Sequence, residues 1–382
     1  MAERVVVIGG DAGGMSAASQ ALRTAKKHGR TLEIVVLERG HWTSYSACGI
    51  PYWTAGIVDG PDELVARTPE EHRKRGIDVR MRTEAVRIDI DRRAVDVVEQ
   101  ESGKRGKVEF DQLVIATGAE PIRPDVPGVD SSGIHGVQTL DDGAALLDRL
   151  EKDDPKRAVI VGGGYIGIEM AEAMVHRGLD VTVIDKAAEP MSSLDPDLGR
   201  QVHEAMEGMG IEVETDTPVE GFEAADNGAV QAVVAGGRAY PADIVVLGIG
   251  VHPATSLAKQ AGLPIGEHGG LRVDDRLQVE LHDATWAAGD CVESFDRVAR
   301  ALAHVPLGTH ANKQGRVLGT NLAGGEAVFA GVVRTAISKV CDLEVARTGM
   351  REKDARRAGL DFVTATIEST TRAGYFPGAQ PM

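Results

Sequence analysis

Only three cysteines, Cys48, Cys291 and Cys341, occur in 382 residues. That is too few for a disulfide-stapled secreted scaffold. None pair as C-x-x-C, and no His/Cys cluster has zinc spacing, so no metal site is expected. Aromatics are only 4%, which leaves no stacking platform for single-stranded nucleic acid. Basic residues are outnumbered: 42 Lys and Arg face 58 Asp and Glu, a net charge of −16. That balance disfavours nonspecific binding to nucleic acid or to an anionic membrane. An anionic ligand must then be held by local amides and a few basic side chains. No apolar run approaches the ~20 residues of a bilayer span. The apolar stretch 5–8 is cut at Gly9 and Gly10, too early for a signal-peptide core. A cytoplasmic protein is expected, with neither nucleic acid nor membrane as partner.

Glycine, by contrast, is abundant at 46 residues, with no Gly-X-Y period, so the excess belongs in tight turns and phosphate loops. Val5–Ile8 is an unbroken apolar run, as in a buried parallel strand. Gly9-Gly10-Asp11-Ala12-Gly13-Gly14 follows, then a helix from Met15 to about Lys27, then a strand at 34–37 that ends on Glu38. The grammar repeats: strand 158–161, Gly162-Gly163-Gly164-Tyr165-Ile166-Gly167, a helix from Ile168 to about Arg177, and strand 181–184 ending on Asp185. One G-x-G-x-x-G says little. Two, each between a strand and a helix and each with a terminal acid, indicate two dinucleotide sites. The glycines allow backbone N–H groups to approach a pyrophosphate, and the helix N-terminus adds partial positive charge. The acid accepts from ribose hydroxyls. In the first loop Asp11 replaces the second glycine, and a carboxylate would repel a pyrophosphate, so Asp11 is expected to turn away.

Two further segments match each other: Phe110–Gly118 and Ala242–Gly250, each an acid-led apolar strand ending in small residues. Between the Rossmann elements, 79–109 and 211–240 read as small β-meanders. Thr285–Asp290 is another strand-to-turn ending, and a helix is expected from about Pro306 to Leu322. Residues 328–382 read as strands with one short charged helix, Glu352 to Ala358. The fold class expected is α/β: two Rossmann-like, three-layer ββα dinucleotide-binding domains, plus a truncated α+β domain.

These features together resemble the flavoprotein disulfide reductases with two dinucleotide folds, along essentially the whole chain. Ser44-Tyr45-Ser46-Ala47-Cys48-Gly49-Ile50-Pro51-Tyr52 looks like the S-x-x-x-C-G-x-P-Y signature of the single-cysteine branch. That branch holds coenzyme A disulfide reductases, NADH oxidases, NADH peroxidases and persulfide or polysulfide reductases. The dithiol branch uses C-x4-C, and here the earlier position is Thr43. Oxidases and peroxidases carry a His where this chain has Ala12. Met15–Ala18 and Pro306-Leu307-Gly308-Thr309…Ala311-Asn312-Lys313-Gln314 look more like coenzyme A disulfide reductases.

The resemblance implies an FAD domain at 1–120 and 253–326, an NAD(P) domain at 121–252 and a partial dimerisation domain at 327–382. It implies FAD on Gly9, Gly10, Ala12, Gly13, Gly14, Glu38, Ser44, Ala116, Thr117, Gly118, Gly289, Asp290 and Ala311. It implies NADH or NADPH on Gly162, Gly164, Tyr165, Ile166, Gly167, Glu169, Asp185 and Gly250. Asp185 favours NADH by repelling a 2′-phosphate, and the neighbouring Lys186 softens that preference. Glu169 is alternatively a first-turn helix acid that suits the dipole. Electrons would pass from NAD(P)H through flavin and Cys48 to a disulfide, coenzyme A disulfide first. NADH oxidase or peroxidase, persulfide or polysulfide reductase, and a non-enzymatic flavin-binding redox sensor are the alternatives. Cys48 is expected at a helix start, where the N-terminus lowers a thiol pKa. Arg23, Lys26 and Lys27 would meet coenzyme A phosphates, or else form a solvated basic face. Tyr375 would reach a partner's cysteine site, or else is an ordinary strand tyrosine. Core packing is expected for Cys291 and Cys341. The resemblance also implies a homodimer. Family members run several tens of residues past the equivalent of Met382, so the short third domain is expected to weaken that dimer.

Overall fold

The computed structural model describes residues 2–382. It divides into two compact units, 1–349 and 350–382. The larger unit is built on two five-stranded parallel sheets. In the first, the order is Thr285–Ala287, Gln112–Ile115, Glu3–Ile8, Leu32–Leu37, Ile77–Arg80. In the second it is Glu212–Glu214, Asp180–Ile184, Arg157–Val161, Ile244–Leu247, Ile134–Gly136. The central strands are apolar from Val5 and from Ala158 onward because both faces are covered there; Val5–Val7 and Val159–Ile160 are essentially inaccessible.

Each parallel sheet has an antiparallel companion of three strands, Thr83–Glu109 beside the first and Val219–Pro241 beside the second. The expected meanders are therefore present but start later than read. Ile77–Arg80 and Glu212–Glu214 instead complete the edges of the parallel sheets. Ile77 and Val79 each bury their side chains to 1% exposure, and a strand with one apolar face gains most against a parallel neighbour and its helices.

The helix Ala12–Lys27 packs against Gly308–Leu322. Gly315 and Gly319 make that approach possible: a Cβ on Gly315 would sit 2.4 Å from the Gly13 carbonyl oxygen, and one on Gly319 2.3 Å from that of Ala17. Against the second parallel sheet lies a core in which Ile50, Trp53 and Leu64 join Leu146, Ile168 and Met174. The hairpin Ala336–Val340/Leu343–Arg347 adds Val340 and Val345 to that core. Cys341 is buried beside them, at the turn rather than within the strand, with φ +50°.

In the second unit the helix Glu352–Arg357 forms, but the strands expected over 359–382 do not. A single bridge joins Thr370 to Pro381. The β-branched run near Val363 and Ile367 has strand propensity, yet within its unit it has no ladder partner, and both side chains are exposed.

Candidate active site

The two glycine loops close in the same way. In the first, the Gly10 amide donates to Glu38 Oε2 at 2.7 Å, and the Gly40 amide to Oε1 at 2.7 Å. In the second, the Gly163 amide donates to Asp185 Oδ2 at 2.6 Å, and the Ala187 amide to Oδ1 at 2.8 Å. Each terminal acid thus ties its own phosphate loop to the end of the second strand. Each carboxylate oxygen keeps acceptor capacity for a ribose hydroxyl. Burial raises the Glu38 carboxyl above its usual range, against the opposing effect of those two amides.

Both loops end in helices without a side-chain cap and without an acid in the first turn. Two other helices are capped fully: Thr68 with Glu71 and Thr139 with Asp142 form complete capping boxes. The two loop helices thus start with backbone amides that no side chain of their own caps, which leaves those amides to an anion. The Tyr165 hydroxyl, at the start of the second loop helix, is buried without a hydrogen-bond partner among the described residues. Asp11 indeed turns aside: its Oδ1 accepts from the Tyr45 amide at 3.2 Å, and burial pushes its carboxyl up to about 6. Asp290 is also pushed up to about 6 by burial alone. It follows Gly289, whose amide donates to Gln314 Oε1 at 2.8 Å, pinning the 308–322 helix and Ala311 beside this turn. Thr117 Oγ1 donates to the Ala254 carbonyl at 2.7 Å, and the Gly118 carbonyl accepts from the Ala254 amide. Gly9 cannot carry a Cβ, which would meet the Ala116 carbonyl oxygen at 2.1 Å. An uncapped helix start, an unpartnered hydroxyl and two ribose-type acids are the donor and acceptor set a dinucleotide needs, so the residues present fit FAD on the first loop and NAD(P) on the second.

Cys48 lies in a 3₁₀ turn, Ala47–Gly49, that leads into the short helix Ile50–Thr54. Gly49 lets the Leu64 side chain close over the turn, since a Cβ there would come within 2.2 Å of Leu64 Cδ2 and push it aside. The short helix packs against Tyr165–His176 and Leu140–Asp153. Arg177 Nε also donates to the Thr54 carbonyl at 2.5 Å. Cys48 is exposed, while Cys291 and Cys341 are buried, and all three are free thiols.

The expected lowering of the Cys48 thiol is not found. Partial enclosure by the turn, then the negative charge of Glu169, push it up. A five-residue helix behind a 3₁₀ turn has little dipole to oppose them. Glu169 is not a first-turn acid either, because the helix begins at Tyr165. Its Oε1 accepts from Ser338 Oγ at 2.7 Å, and its own carboxyl is raised mainly by burial. Ser338 carries no sequence signal for this role, since the contact spans 169 residues.

Arg23, Lys26 and Lys27 lie with Gln20 on one face of the 12–27 helix and border a wide open groove at the surface. Gly250 adopts φ +103° beyond the strand Ile244–Leu247. Tyr375 lies in the second unit and is exposed there. Among the described residues no cluster of His, Cys, Asp and Glu could hold a metal, and no helix is long and apolar enough to cross a membrane.

A family model described as pyridine nucleotide-disulphide oxidoreductase matches residues 3–305. The chain is 36% identical to a protein of Methanocaldococcus jannaschii named NADH oxidase, over 99% of this chain and 83% of that one. It is 36% identical to the NAD(P)H coenzyme A polysulfide/persulfide reductase of Pyrococcus horikoshii, over 100% and 83%. The solved structure of reduced CoADR-RHD from Bacillus anthracis superposes with a TM-score of 0.94 at 31% identity, covering 100% of this chain and 68% of that one.

Proposed function

The chain belongs to the pyridine nucleotide-disulphide oxidoreductase family, as an FAD-dependent NAD(P)H oxidoreductase, and we propose that it reduces a disulfide, coenzyme A disulfide first, through Cys48. The observation that carries this is one exposed cysteine in the C-G-x-P-Y turn, the other two thiols being buried. A lone accessible thiol cannot store two electrons as an internal disulfide, so it must cycle with an external sulfur. The Cys48 thiolate attacks one sulfur of the substrate disulfide. A mixed disulfide forms and the other half leaves as a thiolate. FAD, when bound, supplies the two-electron relay from a reduced nicotinamide to that sulfur.

The amides of Gly10, Gly13 and Gly14 and the 12–27 helix would hold the FAD pyrophosphate, and Glu38 the adenosine ribose. The backbone of Gly9 and Ala12, the Ala116–Gly118 segment, Ser44, Gly289, Asp290 and Ala311 complete that lobe, within residues 1–120 and 253–326. Gly162, Gly164, Tyr165, Ile166, Gly167 and Gly250 would hold NAD(P)H within residues 121–252. Asp185 favours NADH, because its carboxylate would repel a 2′-phosphate. Glu169, on the 165–176 helix of this lobe, acts on Cys48 through its charge. The groove of Arg23, Lys26 and Lys27 offers three cations to an anionic substrate, which supports coenzyme A over an uncharged disulfide. The same reading includes a second copy meeting this one through residues 327–382, which brings Tyr375 to the partner's substrate. Sedimentation of the purified protein would test it.

Exposure of Cys48 also favours a small persulfide or polysulfide as second acceptor. Steady-state NADH oxidation against coenzyme A disulfide, polysulfide, peroxide and oxygen separates these readings. Coenzyme A disulfide should give the highest rate, and Cys48→Ser should lose it at least 100-fold with flavin retained. Undiminished disulfide turnover in Cys48→Ser, or oxygen uptake that needs no disulfide, would overturn the proposal.

A further inference from the structure

The turn that carries Cys48 is held by a residue outside every motif. His72, on the helix Pro69–Lys74, is fully buried, and its Nε2 lies 2.9 Å from Ser44 Oγ. Ser44 has φ +52°, a left-handed conformation that a serine adopts at a cost and keeps only where its surroundings enforce it. From that residue the chain is stitched on two sides. Toward the first glycine loop, Thr43 Oγ1 donates to the Gly10 carbonyl, and the Tyr45 amide donates to Asp11. Toward 64–66, the Ala66 amide donates to the Ser44 carbonyl at 2.8 Å, and the Ser46 amide to the Leu64 carbonyl at 2.9 Å. The Gly49 amide then donates to the Ser46 carbonyl at 2.9 Å, closing the turn around Cys48.

The His72 Nδ1 has no hydrogen-bond partner among the described residues. A buried N–H without an acceptor is rarer and costlier than an acceptor without a donor, so the proton belongs on Nε2. Nε2–H then donates to Ser44 Oγ. The Ser44 hydroxyl proton is left to point elsewhere, and the left-handed turn is locked.

We propose that His72 is a positioning residue for the Cys48 thiol, acting through Ser44 by fixing the left-handed turn that starts the strap between the first glycine loop and the cysteine. The proposal rests on Cys48 being the reactive sulfur. It differs from a packing role because only the Nε2 position of the ring matters. Glutamine places an N–H donor near that position; asparagine places its amide near Nδ1, which contacts nothing polar.

The test compares His72→Ala, His72→Asn and His72→Gln in the flavin-loaded protein. Two readouts are taken: the second-order rate of Cys48 alkylation by iodoacetamide, and kcat separately from KM for NADH. Cys291 and Cys341 are buried, so the alkylation reports on Cys48. In the Ala and Asn variants the alkylation rate should change by about tenfold, the scale of one lost hydrogen bond. Their kcat should fall by a similar factor while KM for NADH holds. His72→Gln should restore both toward the wild type. Equal behaviour of Gln and Asn, or an alkylation rate unchanged in His72→Ala, would overturn the proposal. So would a change in KM for NADH without a change in alkylation. Cys48→Ser, run alongside, keeps the two ideas apart. If it abolishes turnover while His72→Ala does nothing, the cysteine reading stands and the positioning role falls.

Discussion

Replacing Gly167 by alanine should silence the nicotinamide half of this protein and leave the flavin half intact. A Cβ at that position would sit 1.9 Å from the Gly162 carbonyl oxygen and 3.0 Å from its carbon. Non-bonded heavy atoms rest near ~3.5 Å, so the helix Tyr165–His176 must back off from its own loop by more than about 1 Å. Displacement of that order at a site of reaction costs about 100-fold in rate. The relaxation is resisted, because Met170 and Met174 on the same helix are fully buried. The expected variant purifies with a normal flavin absorbance, binds NADH at least tenfold more weakly, and turns over about 100-fold more slowly. Gly14→Ala is the mirror experiment: its Cβ would meet the Gly9 carbonyl oxygen at 2.0 Å, and that variant should lose flavin instead. The reasoning fails if Gly167→Ala turns over within about threefold of wild type. It also fails if Gly167→Ala loses flavin as completely as Gly14→Ala.

Glu169→Gln should let the Cys48 thiol ionise at lower pH, since the Glu169 charge helps push it up; the pH profile of alkylation should move acid-ward, and a fixed or alkaline-shifted profile contradicts this. His72 is held down to about 4 by burial, against ~6.5 unfolded, so the unfolded chain takes up the proton first. Stability from this group is whole above about pH 6.5 and is lost as pH falls toward 4, by up to roughly 3 kcal/mol. His72→Gln should therefore narrow the gap in Tm between pH 7.5 and pH 5, and an unchanged gap would show that His72 is not the group responsible. Lys26→Ala and Lys27→Ala should each raise KM for coenzyme A disulfide several-fold with KM for NADH unchanged; no change in either variant removes the groove from the substrate site.

The parallel sheets were legible because their signal is local. An apolar run, a glycine turn and a terminal acid all fall within about forty residues, as at Val5–Glu38 and Ala158–Asp185. Charge alone led to the expectation that Asp11 turns aside, and its carboxylate does accept from the Tyr45 amide. What escaped sequence reading depends on distance along the chain or on length. The Ser338–Glu169 contact joins a late hairpin to a mid-chain helix, and His72 meets Ser44 across 28 residues with no periodicity to announce it. The direction of the Cys48 thiol shift was misread for a different reason. Dipole reasoning needs a helix of several turns, and the sequence does not reveal that this one ends after five residues at Thr54. The strands expected beyond Ala358 failed because propensity without a neighbouring ladder does not make a sheet.

Asp185 fastens the Gly163 amide with one carboxylate oxygen and the Ala187 amide with the other. On the proposed reading, the group that would reject a 2′-phosphate is also the fastener of the loop that would accept the pyrophosphate. Coenzyme choice and loop rigidity would then be inherited together. A lineage drifting toward NADPH could not simply discard this carboxylate, because the first step would slacken the loop before any new contact repaid it. Change there has to come in pairs, with a new anchor for Gly163 arriving no later than the new cation.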